Sequence, residues 1–417
     1  MNSRLALILA LRYVRGKKSA NAVPILSRIS MFAIMVGSAA MIILFSVFNG
    51  FEVVVRDLYK AFYPDMRITA ASGKFMDLPP QRYQQIKALK GIEKMAPVIE
   101  DNVLINTEGG DIVIATLKGI DNRYFAVNEV QPYITNGRDS LTPGVLPTAI
   151  IGAQIAGRIG LDVNNDFSRL SIHYPNSKAA NLTLNPTEAE RTLILKPDGI
   201  FRVQDEFDDK YILAPIALAQ DLFGEEGKIS ALELRLSADA DADDIKERLQ
   251  HITGNAYRIE TRFEQNHTLY QVLRTEKWAT YAILLFVLLI ASVNMIGALS
   301  LLVLEKGKDM AILAAMGASR ATIRFVFLLE GLLWSVIGGG IGILIGGAVC
   351  WGQQRFGWVE LNGAFVIKAY PVAIQPADFL LVLCTVMGVG LLAAWYPAMR
   401  AVSNGEDGQQ TVYARLR

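Results

Sequence analysis

The side chains that could do chemistry are few and badly spaced for it. The 417 residues include three histidines, His173, His251 and His267, and two cysteines, Cys350 and Cys384. A zinc site needs Cys or His ligands at close spacing, and these five are scattered, so no metal site is expected. Both cysteines fall in apolar runs, where a thiol behaves as a small hydrophobe, so a disulfide scaffold is not expected either. No GxxxxGK[ST], HExxH or GxSxG pattern occurs. That removes a Walker-type nucleotide loop, a zinc-protease helix and a hydrolase nucleophile elbow. The acid pairs Asp205-Glu206 and Asp208-Asp209 could share proton transfer, but charge runs usually form a solvated face, and that is the expectation. Glu330 stands inside an apolar stretch. At mid-membrane depth a carboxylate would cost on the order of 2.5–3.5 kcal/mol, so it is expected near an edge, in reach of Arg324 or water. The expectation is a non-catalytic binding or coupling chain with no cofactor of its own.

The elements that must position these residues are dominated by apolar runs. The chain is 52% hydrophobic and 19% charged, with a mean hydropathy of +0.30. Lys plus Arg number 41 and Asp plus Glu 40, a net charge of +1 that gives no case for nucleic acid. Residues 29–51, 278–304, 331–354 and 379–399 carry no charge, and about 20 apolar residues suffice for a spanning helix. The expected fold class is therefore membrane α-helical, with four transmembrane helices at 29–51, 278–304, 325–351 and 379–399. A large α+β extracytoplasmic domain, 52–277, is inserted between helices 1 and 2. The first run is too long for a cleaved signal core and is read as a retained span. Residues 1–28 hold six basic residues and no acid, and basic residues recur in 305–324 and 400–417. These flanks are therefore placed in the cytoplasm. The segment 352–378 becomes an external loop, and 5–11 a short interfacial helix.

In the large domain, helical spacing carries on from the first span through Val54, Val55, Leu58 and Phe62, and resumes at Leu269, Val272 and Leu273 before the second. Two strand–helix–strand units lie beside these stalks, 66–71/79–90/98–106 and 231–236/242–253/257–260, and should share one sheet. Between them, about 137–228 reads as a β-rich insert with strands at 169–174, 192–195, 201–204 and 211–214. Residues 175–190 lack periodicity and read as a hairpin tip or a loop that grips a partner. On the cytoplasmic side, 309–316 is a short helix with Ile312 and Leu313 apolar, closed by Gly317, and Ser319 caps the next helix. Such a helix can seat in a partner's groove or lie in the membrane interface. Gly338, Gly342 and Gly346 recur every fourth residue and allow close helix approach, to the fourth span or to a second subunit.

A set of motifs begins with Leu11-Arg12-Tyr13-Val14-Arg15, Ile29-Ser30 and Val47-Phe48-Asn49-Gly50-Phe51-Glu52. Gly199-Ile200-Phe201 and 217–223 follow, then 308–318 and Phe327-Leu328-Leu329-Glu330-Gly331. Tyr370-Pro371-Val372 and Tyr396-Pro397-Ala398 complete the set. Together they resemble the lipoprotein-releasing ABC permeases, the Lol inner-membrane subunits of the MacB/FtsX-like superfamily. The resemblance spans nearly the whole chain. Departures are the acidic, Asn-rich central insert, Pro64-Asp65 where many members carry histidine, and a tail without the usual proline.

The resemblance implies a dimer in the bacterial inner membrane, either two copies of the chain or a copy with a paralogue. It also implies a cytoplasmic ABC ATPase dimer that holds the ATP and Mg, a periplasmic lipoprotein carrier, and acylated lipoproteins as cargo. On that footing Asp309, Met310, Ile312, Leu313, Met316 and Gly317 form the ATPase-coupling helix. Phe45, Phe48, Phe51 and Phe286 line a lipid cavity, and Pro175, Leu182, Leu184 and Pro186 belong to the carrier-binding loop. The alternative is a MacB/FtsX-like permease for efflux or for mechanotransmission to a periplasmic partner. An enzyme on a membrane anchor is the remaining rival.

Overall fold

The computed structural model describes residues 23–106, 112–142, 146–163, 165, 167–175, 190–361 and 369–415, with side chains except at 23, 24 and 402–415. In chain order, helix α1 (Val23–Tyr59) is followed by β1 (Met66–Ala70), α2 (Pro80–Lys87), β2 (Ile92–Asn106), β3 (Ile112–Ile120), β4 (Ile134–Gly137) and β5 (Thr148–Gly152). Next come β6 (Leu170–Pro175), β7 (Glu190–Phe201), β8 (Tyr211–Pro215), α3 (Ile216–Phe223), β9 (Ala231–Leu236), α4 (Ala242–Thr253) and β10 (Tyr257–Thr261). The chain ends in α5 (His267–Glu305), α6 (Gly307–Ala315), α7 (Arg320–Phe356) and α8 (Pro376–Arg415). Two units result. The sheet unit runs from Val54 to Tyr270; the helical unit takes α1 up to Val53, α5 from Gln271, and α6 to α8.

In the helical unit, α1, α5, α7 and α8 are each long and apolar enough to cross a membrane. Their shared core includes Ile34, Met41 and Phe45 of α1, Met295 and Leu299 of α5, Phe327 and Trp334 of α7, and Val382, Val386 and Ala394 of α8. The α6–α7 corner is built by local chemistry. Gly317 takes φ +89°, which only glycine adopts without strain. The Ala318 N–H then reaches back to the Leu313 carbonyl at 3.0 Å. Ser319 caps α7 by accepting from the Thr322 N–H at 3.3 Å. The glycine row of α7 packs on α1: a Cβ at Gly338, Gly342 or Gly346 would meet the carbonyls of Met31, Met35 or Ala39. Sequence alone leaves this partner open between the fourth span and a second subunit. The fourth span instead meets Gly339 and Gly347, through Val386 and Phe379.

In the sheet unit the strand order is β10-β1-β9-β2-β3-β8-β5-β7-β4, with β6 pairing β2 and β7. The two expected strand–helix–strand units do share this sheet, because β9 lies between β1 and β2. The second is set locally: Asp241 caps α4 by accepting from the Asp243 N–H, and Ile245 and Leu249 are buried under the sheet. Other strands differ from expectation. The sequence predicts separate strands at 192–195 and 201–204, yet β7 is continuous through Pro197-Asp198-Gly199, with a register shift against β5, and ends at Phe201, so 202–204 are not strand. β3 and β5 were not anticipated. β3 is buried through its second half and β5 throughout, so neither shows the alternation that marks a half-exposed strand.

The buried face where β1, β2, β3 and β9 meet is charged. Lys118 Nζ lies 2.7 Å from Glu233 Oε1 and 3.6 Å from Glu100 Oε2, and Arg67 pairs with Glu100. Asn128 donates to the second Glu233 oxygen at 2.5 Å, and the Lys118 ammonium stands 5.1 Å from the Tyr124 ring. Burial pushes the Glu100 carboxyl up, but the Arg67 and Lys118 charges outweigh it and hold it down at about 2. Beside this cluster the aromatic rings of Phe62, Phe207 and Tyr211 stack at 4.8–6.4 Å.

The acid pairs are not one solvated face. Asp205 and Glu206 are exposed, but Asp208 is buried and accepts from the Val203 N–H at 2.8 Å. Glu206 accepts from the Tyr59 hydroxyl at 2.5 Å, and Arg158 pairs with Asp209 at 2.7 Å. The tight turn at 204–209 folds these acids back onto their neighbours, which overrides the tendency of a charge run to face water.

Candidate functional site

Three places in the chain carry functional geometry. The first is α6, nine residues between α5 and α7. Met310 is buried in the core of the helical unit, which anchors one face of the helix. Ile312 and Met316 are 59% and 71% exposed. They lie four positions apart, one turn above the other, so they form a single apolar edge. Leu313 is half-buried beside them, Gly317 ends the helix, and Asp309 pairs with Lys306 at 3.4 Å. The arrangement can insert two apolar side chains into a groove while staying fixed to the long helices.

The second place is a polar joint at the far end of those helices. Asn49 of α1 donates to Asp378 at the start of α8 at 2.5 Å and accepts from the Lys277 ammonium of α5 at 2.7 Å. Lys277 and Asp378 are themselves 3.4 Å apart. Asn49 is fully buried and Asp378 nearly so, so each needs the others to satisfy its polar atoms. The neighbouring Gly50 has a different task. A Cβ there would collide with the Pro371 carbonyl, so glycine lets residues 371–373 lie on α1, where the Ala373 N–H donates to the Ser46 carbonyl at 2.8 Å. The Asn49-Gly50 and Tyr370-Pro371-Val372 motifs thus fit each other. Sequence reasoning missed the joint, although its three polar residues lie within two positions of the ends of charge-free runs.

The third place is aromatic. Phe45 is buried, stacked on Tyr281 at 5.9 Å with the Lys277 ammonium 5.7 Å from its ring. Phe51 meets Tyr370 edge-on at 5.2 Å, Phe48 is half-buried, and Phe286 is 64% exposed. Phe45 and Phe51 are thus tied to neighbours, and Phe286 is open. Pro175 is exposed at the end of β6, while Leu182, Leu184 and Pro186 lie outside the described residues.

Glu330 is not placed as anticipated. It is fully buried, and among the described residues neither carboxyl oxygen has a hydrogen-bond partner. Arg324 is exposed. The reason is helical phase: Glu330 falls on the same face of α7 as Phe327, Gly331 and Trp334, which packs into the core. Cys350 is buried, Cys384 exposed, and both are free thiols.

Residues 27–168 match the MacB-like periplasmic core domain family and residues 281–404 the FtsX-like permease C-terminal family. The chain is 23% identical over 412 residues to the lipoprotein-releasing system transmembrane protein LolC of Neisseria meningitidis serogroup B, covering 94% of this chain and 95% of that protein. It is 25% identical over 413 residues to LolE of Haemophilus influenzae, again covering 94% and 95%. Among solved structures, the periplasmic region of MacB from Actinobacillus actinomycetemcomitans aligns with 52% of this chain and 98% of its own, at 13% identity and a TM-score of 0.35. The chain thus carries a MacB-like periplasmic core domain match and an FtsX-like permease match, and along nearly its whole length it is similar to lipoprotein-releasing transmembrane proteins.

Proposed function

We propose that this chain is the permease subunit of an inner-membrane ABC transporter that extracts lipoproteins and passes them to a periplasmic carrier. The observation that carries this reading is similarity over nearly the whole chain to lipoprotein-releasing transmembrane proteins, spanning both units at once. The proposed arrangement has four spans and a large periplasmic domain, 52–277, between the first and second. α6 faces the cytoplasm and 352–378 the periplasm. ATP is hydrolysed on a separate ATPase dimer, and the permease works as a dimer, with itself or with a paralogue.

Physical chemistry supports the division of labour. Each acyl CH₂ taken from a bilayer into water costs about 0.8 kcal/mol. A lipoprotein with two or three chains therefore needs an apolar path and an outside energy source. Ile312 and Met316 provide the surface through which that energy enters. The proposed path runs along spans one and two, with Phe286 its open ring and Phe48 beside it; Phe45 and Phe51, packed on Tyr281 and Tyr370, back its wall. The segment 175–190, which begins at Pro175, is the proposed carrier contact.

Depletion of the chain tests the reading. Outer-membrane lipoproteins should accumulate in the inner membrane. Normal export after depletion would favour an efflux or mechanotransmission role within the same superfamily.

A further inference from the structure

At the end of α7, where the charge-free run 331–354 stops at Arg355, a tight hairpin displays three large aromatic rings. Trp351, Phe356 and Trp358 are 60%, 62% and 63% exposed. Phe356 stacks on Trp358 at 5.8 Å with only 10° between the planes, and meets Trp351 edge-on at 6.3 Å. The display is rigid. Gly357 turns the chain in the left-handed region, its N–H bonded to the Gln353 carbonyl at 2.8 Å. The buried Gln353 side chain donates to the Val359 and Tyr370 carbonyls at 2.9 and 3.2 Å and accepts from the Val359 N–H at 2.9 Å. The Trp358 ring lies against Gly352, where any Cβ would strike it.

A soluble surface does not hold such a cluster open to water without a reason, and depth supplies one. Tryptophan collects where hydrocarbon gives way to headgroups, its ring in the apolar layer and its N–H in the polar one. Trp351 lies one turn inside the charge boundary at Arg355, and Phe356 and Trp358 just beyond it. A matching belt marks the opposite ends of the long helices. Trp395 and Tyr396 of α8 are 58% and 50% exposed, and the Arg400 guanidinium sits 5.1 Å from the Tyr396 ring. Asp378 bonds Asn49 of α1, next to the 370–373 segment that Gln353 holds, and from Asp378 to Trp395 is about 26 Å of helix. That is close to the thickness of a hydrocarbon core.

We propose that the 351–360 hairpin is a lipid-binding surface that seats its three rings in the outer-leaflet headgroup interface. Through Gln353 and Tyr370 it fixes the height of the 370–373 segment that lies on α1.

The test uses the full-length protein in phosphatidylcholine vesicles, comparing wild type with the conservative W351F/W358F double variant. The difference between their emission spectra isolates the two rings from the other three tryptophans. Phosphatidylcholine brominated near the headgroup should quench most of that difference signal, deeply brominated lipid should quench it less, and aqueous iodide should leave it nearly unchanged. Strong iodide quenching would put the rings in water. Quenching by neither would mean protein covers them, for example a second copy of the chain. Either result overturns the proposal.

Discussion

The two units bury charge in opposite ways. In the sheet unit, Arg67, Glu100, Lys118 and Glu233 lie side by side across four strands, with Asn128 and Tyr124 completing the set. In the helical unit, Glu330 is as buried as Lys118 and Glu233, but among the described residues its carboxyl has no hydrogen-bond partner. The first arrangement offsets the cost of taking ions out of water with close opposite charges. The second leaves that cost standing. Buried ionisable groups therefore match one another across strands in one unit, and in the other a single carboxyl lies unmatched.

Substitution should expose the difference. Removing one member of the cluster strands the rest, so Glu233→Ala should cost the sheet unit about 3–5 kcal/mol. Circular dichroism melts of the purified chain would show it, and an unchanged transition would mean the cluster is not a structural tie. At Glu330 the sign reverses. Glu330→Met exchanges an unsatisfied polar group for an apolar one of similar length, and should raise stability by about 1–3 kcal/mol. A lower melting temperature would show that the Glu330 carboxyl stabilises the helical unit and is not left unmatched there.

The smallest effect is a pH slope in the sheet unit. Burial pushes Asp208 up from 3.8 to about 6, outweighing the Val203 and Gln204 backbone donors. A raised folded value means that its contribution is complete below pH 3.8 and is lost as pH rises through about 6. Glu100 leans the other way: its contribution is present above 4.5 and is lost as pH falls towards about 2. Asp208→Asn should flatten melting temperature between pH 4 and 6 while leaving the acid limb intact. A wild-type slope that survives the substitution would reassign it to another group.

The apolar helices were legible because a spanning helix and an absence of charge are nearly the same statement in sequence. The corner at Gly317-Ala318-Ser319 was legible because its capping chemistry is local. β3 was not, since Lys118 in an otherwise apolar run argues against a buried strand until Glu233, more than a hundred residues away, is brought beside it. The same holds for the joint of Asn49, Lys277 and Asp378. Each residue reads as an ordinary polar end of a span, and only the packing of three helices makes them one site. Glu330 misled because burial depends on helical phase as well as depth. Of the carrier-loop residues, only Pro175 lies within the described chain.

In the proposed function, this chain turns a partner's ATP hydrolysis into lipoprotein release through the apolar edge of α6. The direct measurement is release of an acylated lipoprotein from proteoliposomes containing this chain, its ATPase, any second permease subunit and the carrier, with ATP added. Wild type should transfer lipoprotein to the soluble carrier only with ATP. Ile312→Asp should lose both the release and the ATPase on co-purification, with the permease still folded. Release by the Ile312→Asp protein at the wild-type rate, or release by wild type without any ATPase, would contradict the account.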